Sequence, residues 1–145
     1  MQFRLSPVTV VLLILANVAS AETVAGSAKA LNQFRAGSGK SALVLSDTLQ
    51  KTAEGHARDM RDKGFFSHTG SNGSTVGQRA RGNGYGYCLI AENIAKGQRN
   101  LTEVMHSWET SAGHRKNMLL KDIKEFGLAR REGNIWVMVL GRSGC

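Results

Sequence analysis

Proline and cysteine are nearly absent from this chain. Of 145 residues one is proline, Pro7, and two are cysteine, Cys88 and Cys145. Every turn after position 7 must therefore be built from Gly, Asn, Asp and Ser. Two thiols can close one bridge, which excludes a multiply stapled scaffold. Long apolar runs are scarce as well. The core of the longest, Val8 to Leu15, falls well short of the ~20 residues that a spanning helix needs.

Acidic residues are outnumbered, 11 against 19 Lys and Arg, giving a formal net charge of +8. Such a balance attracts cell-wall polymers, anionic lipid or nucleic acid without specificity. The cations are spread thinly, with no block of five or more, which is the pattern of a solvated surface. Motifs with a fixed chemistry are missing too. There is no GxSxG for a covalent serine hydrolase and no HExxH or closely spaced His pair for a metallopeptidase. The glycine-rich run from Gly82 to Tyr87 lacks the GxGxxG order of a dinucleotide site and reads as a flexible turn. No carboxylate pair is placed for magnesium, so no specific nucleic-acid chemistry is indicated.

What is present starts with a leader. Arg4, the apolar core and Ala19-Ser20-Ala21 have the order of a secretory signal peptide, with cleavage expected after Ala21. Residues 22–145 then form one domain, with no transmembrane segment after cleavage. A secreted or periplasmic chain meets an oxidising compartment, so Cys88 and Cys145 are expected to be joined.

Periodicity supplies the elements. Val24, Ala28, Leu31 and Phe34 mark a first helix from Glu22 to Arg35, ended by Gly37-Ser38-Gly39. Ser46 or Asp47 caps a second helix to Lys63, with Gly64 as its stop. Its buried stripe is Leu49, Ala53, His56, Ala57 and Met60, whereas Arg58 and Asp59 belong to the charged face. His56 in that stripe reads as a hydrogen-bonded core residue. Phe65 to Gly73 is a loop presenting His68, and Ser74 or Thr75 caps a short helix through Arg81. Asn100 and Glu103 cap a helix to Thr110 that buries Leu101, Val104, Met105 and Trp108. Ser111 to Gly113 breaks it, and His114 opens a further turn to Leu120. Phe126 to Ala129 and Ile135 to Leu140 form a hairpin about Glu132-Gly133-Asn134. Helices first and strands late make this an α+β chain.

Three polar clusters carry the chemistry: Ser67-His68, Glu92-Asn93 and Gly113 to Asn117. His68 and His114 could be ligands for zinc or another divalent metal, with Glu92 orienting one imidazole or acting on a bound water. The same three residues could move protons without a metal. Each cluster could also be a structural fixture, since Ser67, Asn93 and Asn117 are suited to satisfying turns and buried backbone. Spacing alone leaves these alternatives open.

Taken in order, the segments Leu31 to Arg35, Ala53 to Met60, Phe66-Ser67-His68, Ala91 to Ala95, Trp108, Ser111 to Leu119, Gly127 and Trp136 resemble the CAP superfamily of cysteine-rich secretory, antigen 5 and pathogenesis-related proteins, in its compact bacterial form. The resemblance implies a three-layer α-β-α sandwich with a small antiparallel sheet and a groove on one face. It further implies that His68, Glu92 and His114 match three of the two histidines and two glutamates of that groove, some members binding a divalent metal there through the histidines. The second glutamate would fall near Ser111, and the neighbouring Glu109 is expected on another helical face. Ser67, Asn93, Ser111, Arg115 and Asn117 are the further binding candidates. Family activities are diverse, so fold membership does not fix the chemistry. The expected function is that of an exported binding or interaction module, its partner a lipid or other small apolar ligand, a surface polymer or a protein. The alternative is a metal-dependent hydrolase or peptidase using the same residues.

Overall fold

The structure, a computed structural model, describes residues 26–145. The signal-peptide expectation and the start proposed at Glu22 for the first helix lie outside the described residues. Helix α1 covers residues 26–37. It is followed by β1 (Val44–Leu45), α2 (Asp47–Lys63), α3 (Val76–Gly82), β2 (Tyr87–Lys96), α4 (Leu101–Thr110), α5 (Ala112–Met118), β3 (Glu125–Arg131) and β4 (Ile135–Ser143).

The strands form one sheet in the order β1-β3-β4-β2. It is antiparallel except where the two residues of β1 run parallel with β3. Side chains alternate across a strand, and β4 shows how that builds two cores. Trp136, Met138 and Leu140 join Leu31, Val104, Trp108 and Met118 on the face covered by α1, α4 and α5. Ile135, Val137 and Val139 join Leu49, Ala53, Ala57 and Met60 under α2 and α3. The result is the three-layer α-β-α sandwich.

Local chemistry sets the helix ends. Ser46 Oγ accepts from Leu49 N–H, and Gly64, at φ 68°, closes α2 in the left-handed region that glycine adopts freely. Thr75 and Gln78 form a reciprocal capping box on α3, and Asn100 caps α4. Close contact fixes α2 on the sheet: a Cβ on Gly127 would collide with the Gln50 backbone nitrogen. Gln50 adds a two-way amide clasp, accepting from Leu128 N–H at 3.0 Å and donating to Leu128 O at 2.8 Å. On the other face the buried Arg35 donates to Met118 O at 2.6 Å and Leu120 O at 3.1 Å, which anchors the end of α5 to α1.

Three expectations change. The turn assigned to Gly82–Tyr87 gives way at Tyr87 to a ten-residue strand, so Glu92 and Asn93 are strand residues. Helix α5 begins at Ala112, directly after Ser111, so the interruption is one residue and His114 lies in the first turn. Leu101 is half-buried rather than buried. The Cys88–Cys145 bridge is present, with Cα atoms 5.5 Å apart.

Candidate functional site

β2 is an edge strand, and its neighbours Glu92 and Asn93 serve opposite helical layers. Glu92, with only 2% of its side chain exposed, receives three basic groups from the α2–α3 side. His68 Nδ1 donates to Oε1 at 2.8 Å, and Arg79 Nη2 donates to Oε2 at 2.8 Å. His56 Nε2 stands 3.9 Å from Oε1 and donates to Ser67 O at 2.8 Å. The cost of burying a carboxylate is thereby met by charge and by hydrogen bonds together.

Asn93 faces α5 and fastens it to the strand. Its Nδ2 donates to His114 O at 3.1 Å, while Asn117 Nδ2 donates to Asn93 Oδ1 at 2.9 Å and to Glu92 O at 3.3 Å. These two asparagines act as the clamp that holds His114 against the strand edge. Ser111 ends α4 and precedes α5 but makes no side-chain cap; its Oγ is hydrogen-bonded to His114 Nδ1 at 2.9 Å.

The imidazoles are pushed apart in proton affinity. The hydrogen bond to Glu92 raises the pKa of His68 above its ordinary value, against the opposing effect of desolvation. Burial lowers that of His114, and the positive charge of His68 lowers it further, so the two rings share one field. Burial also lowers His56, outweighing the attraction of Glu92. With Nδ1 of His68 committed to Glu92 and Nδ1 of His114 to Ser111, Nε2 is the uncommitted nitrogen of each ring among the described residues.

Other candidates are placed differently. Ser67 Oγ accepts from Thr69 N–H, shaping the loop beside His68. Arg115 turns toward α1, its guanidinium 4.9 Å from the centre of the Phe34 ring, and donates to Glu109 O. Glu109 lines a pocket of about 390 Å³ between α1 and α4, away from Glu92. Among the described residues no three of His, Cys, Asp and Glu converge as a metal cluster. Glu92 holds His68 directly, while His114 is held on α5 by Asn93 and Ser111.

Sequence reasoning missed Arg79 and Asp59. Arg79, read as a surface cation, also donates Nη1 to Ser74 O and Nη2 to His68 O, binding the histidine's loop to α3. Asp59, read as part of the charged face, accepts from Ser71 N–H at 2.8 Å and Ser71 Oγ at 2.6 Å. Neither has a motif of its own; both act across the turn that carries His68.

Residues 28–139 match the cysteine-rich secretory protein family. The chain belongs to the CAP family. Its CAP domain is 36% identical over 106 residues to the Bacillus subtilis (strain 168) protein YkwD, covering 72% of this chain and 41% of that protein. Among solved structures, an extracellular protein containing a SCP domain from Bacillus anthracis str. Ames superposes with a TM-score of 0.83 at 23% identity. That match covers 98% of this chain and 45% of the other. An outer surface protein from Borrelia burgdorferi gives 0.73 at 25% identity, covering 79% of this chain and 87% of that one. The CAP chain thus spans less than half the length of YkwD and of the B. anthracis protein. No helix among its described residues is long and apolar enough to cross a membrane.

Proposed function

We propose that this CAP protein is an exported binding module whose groove is built on His68, Glu92 and His114, with the two histidines as ligands for a divalent metal such as zinc. The observation that carries the reading is the hydrogen bond made by Nδ1 of each ring. Each has Nδ1 fixed by a partner and Nε2 left uncommitted, and Glu92 stands behind His68 as a carboxylate stands behind many metal-binding imidazoles. The donor set fits a borderline cation that keeps open positions for water or a partner group. When bound, such an ion supplies a Lewis acid at the groove; the chain's own residues position it and hold the protons around it. Export is supported by the leader sequence, by the disulfide, and by the extracellular and outer-surface settings of the two structural relatives.

Calorimetric titration of the wild-type protein with zinc at pH 7.5 tests the metal reading. One equivalent is expected to bind, and both His68→Ala and His114→Ala are expected to lose it. Equal binding by the wild type and both variants sinks the assignment.

The opposed proton affinities of His68 and His114 favour one rival, a metal-dependent hydrolase or peptidase with the same residues. Turnover of a peptide or ester panel that disappears in His114→Ala would favour it over a module that only binds.

A further inference from the structure

Between α2, α3 and the 72–74 turn lies a separate cleft of about 590 Å³. Neither His68, Glu92 nor His114 lines it. Among the described residues no lining side chain is a hydrocarbon or a carboxylate, so the cleft suits neither a lipid tail nor a metal cation. Arg79, the one permanent cation among the described lining residues, already has its charge met by Glu92.

The lining keeps hydrogen-bonding capacity in reserve. Asn72 spends Oδ1 on Ser74 N–H and Gln78 spends Oε1 on Thr75 N–H, which leaves both amide nitrogens as donors. Asn83 spends Nδ2 on Thr52 Oγ1 and Arg79 O, leaving its Oδ1 as an acceptor. Beneath them His56 Nδ1 and Arg79 Nε are buried without a partner among the described residues.

Gly55 gives an independent reason to read the cleft as a site. Glycine weakens a helix interior relative to alanine, and here no packing requires it. A Cβ at Gly55 would meet nothing within 4 Å, whereas at Gly77 or Gly127 it would collide with Tyr87 or with the α2 backbone. A side chain at Gly55 would enter the space of the cleft.

We propose that this cleft binds a neutral saccharide, whose hydroxyl and acetamido groups both donate and accept hydrogen bonds. The free amides of Asn72 and Gln78 donate to the sugar oxygens, and Asn83 Oδ1 accepts from a hydroxyl. The cleft shares Arg79 and His56 with the surroundings of Glu92 but is lined by neither His68, Glu92 nor His114, so it stands or falls apart from the metal reading.

The test is an NMR titration of the whole protein with triacetylchitotriose and with maltotriose, read on the side-chain amides of Asn72, Gln78 and Asn83. One sugar is expected to give saturable shifts that persist in added salt, since no net charge is involved. Gly55→Gln, which fills the cleft and strengthens the helix, should weaken binding about tenfold or more while its melting temperature holds or rises. Asn83→Ala should weaken it as well. No saturable shift with either sugar at millimolar concentration, or equal affinity in folded Gly55→Gln, overturns the proposal. Binding only of a sulfated polymer, abolished by salt, also overturns it.

Discussion

Arg79 Nη2 meets Glu92 Oε2 at 2.8 Å with 11% and 2% of the respective side chains exposed. A cation from α3 thus neutralises a carboxylate on the edge strand, and the same guanidinium holds the backbone of His68. The placing of His68 against Glu92 depends on this pair.

Removing the cation leaves Glu92 buried with an exposed histidine as its main partner. Arg79→Ala is expected to cost ~3 kcal/mol, in the range for breaking a buried pair from one side. Chemical denaturation measures it, and Arg79→Lys should recover part of the loss. A change below ~0.5 kcal/mol would show that the pair is no more than a surface contact.

The imidazoles predict a divided pH response. His68 has a raised pKa in the fold, so its stabilising effect is complete below the ordinary histidine value near 6.5 and fades as pH rises through the raised value. His56 and His114 have lowered values, so their contribution is present above that ordinary value and is lost as pH falls through the lowered ones. NMR titration should place His68 above the other two. In Glu92→Gln the His68 value should drop, because the hydrogen bond to the carboxylate is the largest cause of its rise. An unchanged His68 in that variant would show that another group controls it.

Two glycines should respond to alanine with opposite signs. Gly127→Ala forces a methyl against the backbone of Gln50 and should destabilise by ~1–3 kcal/mol or more. Gly55→Ala meets open space and should stabilise by ~0.5–1 kcal/mol. Melting temperatures of the two variants decide; a shift of the same sign in both contradicts the packing described.

The Cys88–Cys145 bridge closes a separation of 57 residues. Its loss in Cys88→Ser/Cys145→Ser should cost up to ~4 kcal/mol in the chain-entropy model. Denaturation with and without reductant gives the comparison, and indifference to reductant would deny the bridge a stabilising part.

Much of this was legible before any coordinates. Ser46, Thr75 and Asn100 announce their helices because a cap is local chemistry, readable over three or four residues. The late hairpin shows in the β-branched run of β4. β2 is hidden because Cys88, Glu92 and Asn93 interrupt its apolar residues, and because Glu92 to Ala95 are buried on both faces and show no alternation. His56 reads correctly as a core histidine from its helical stripe. Arg79 and Asp59 escape notice because their partners lie in other elements, and no spacing rule within one helix reports such contacts.

The account rests on His68 and His114 working as one unit at the edge of β2. A crystal structure of the protein grown with zinc tests it most directly. An ion at ~2.0–2.1 Å from Nε2 of both rings, with Glu92 still on His68 Nδ1, is the expected result. Zinc bound to other residues, or Nε2 atoms more than ~5 Å apart with zinc present, would contradict it.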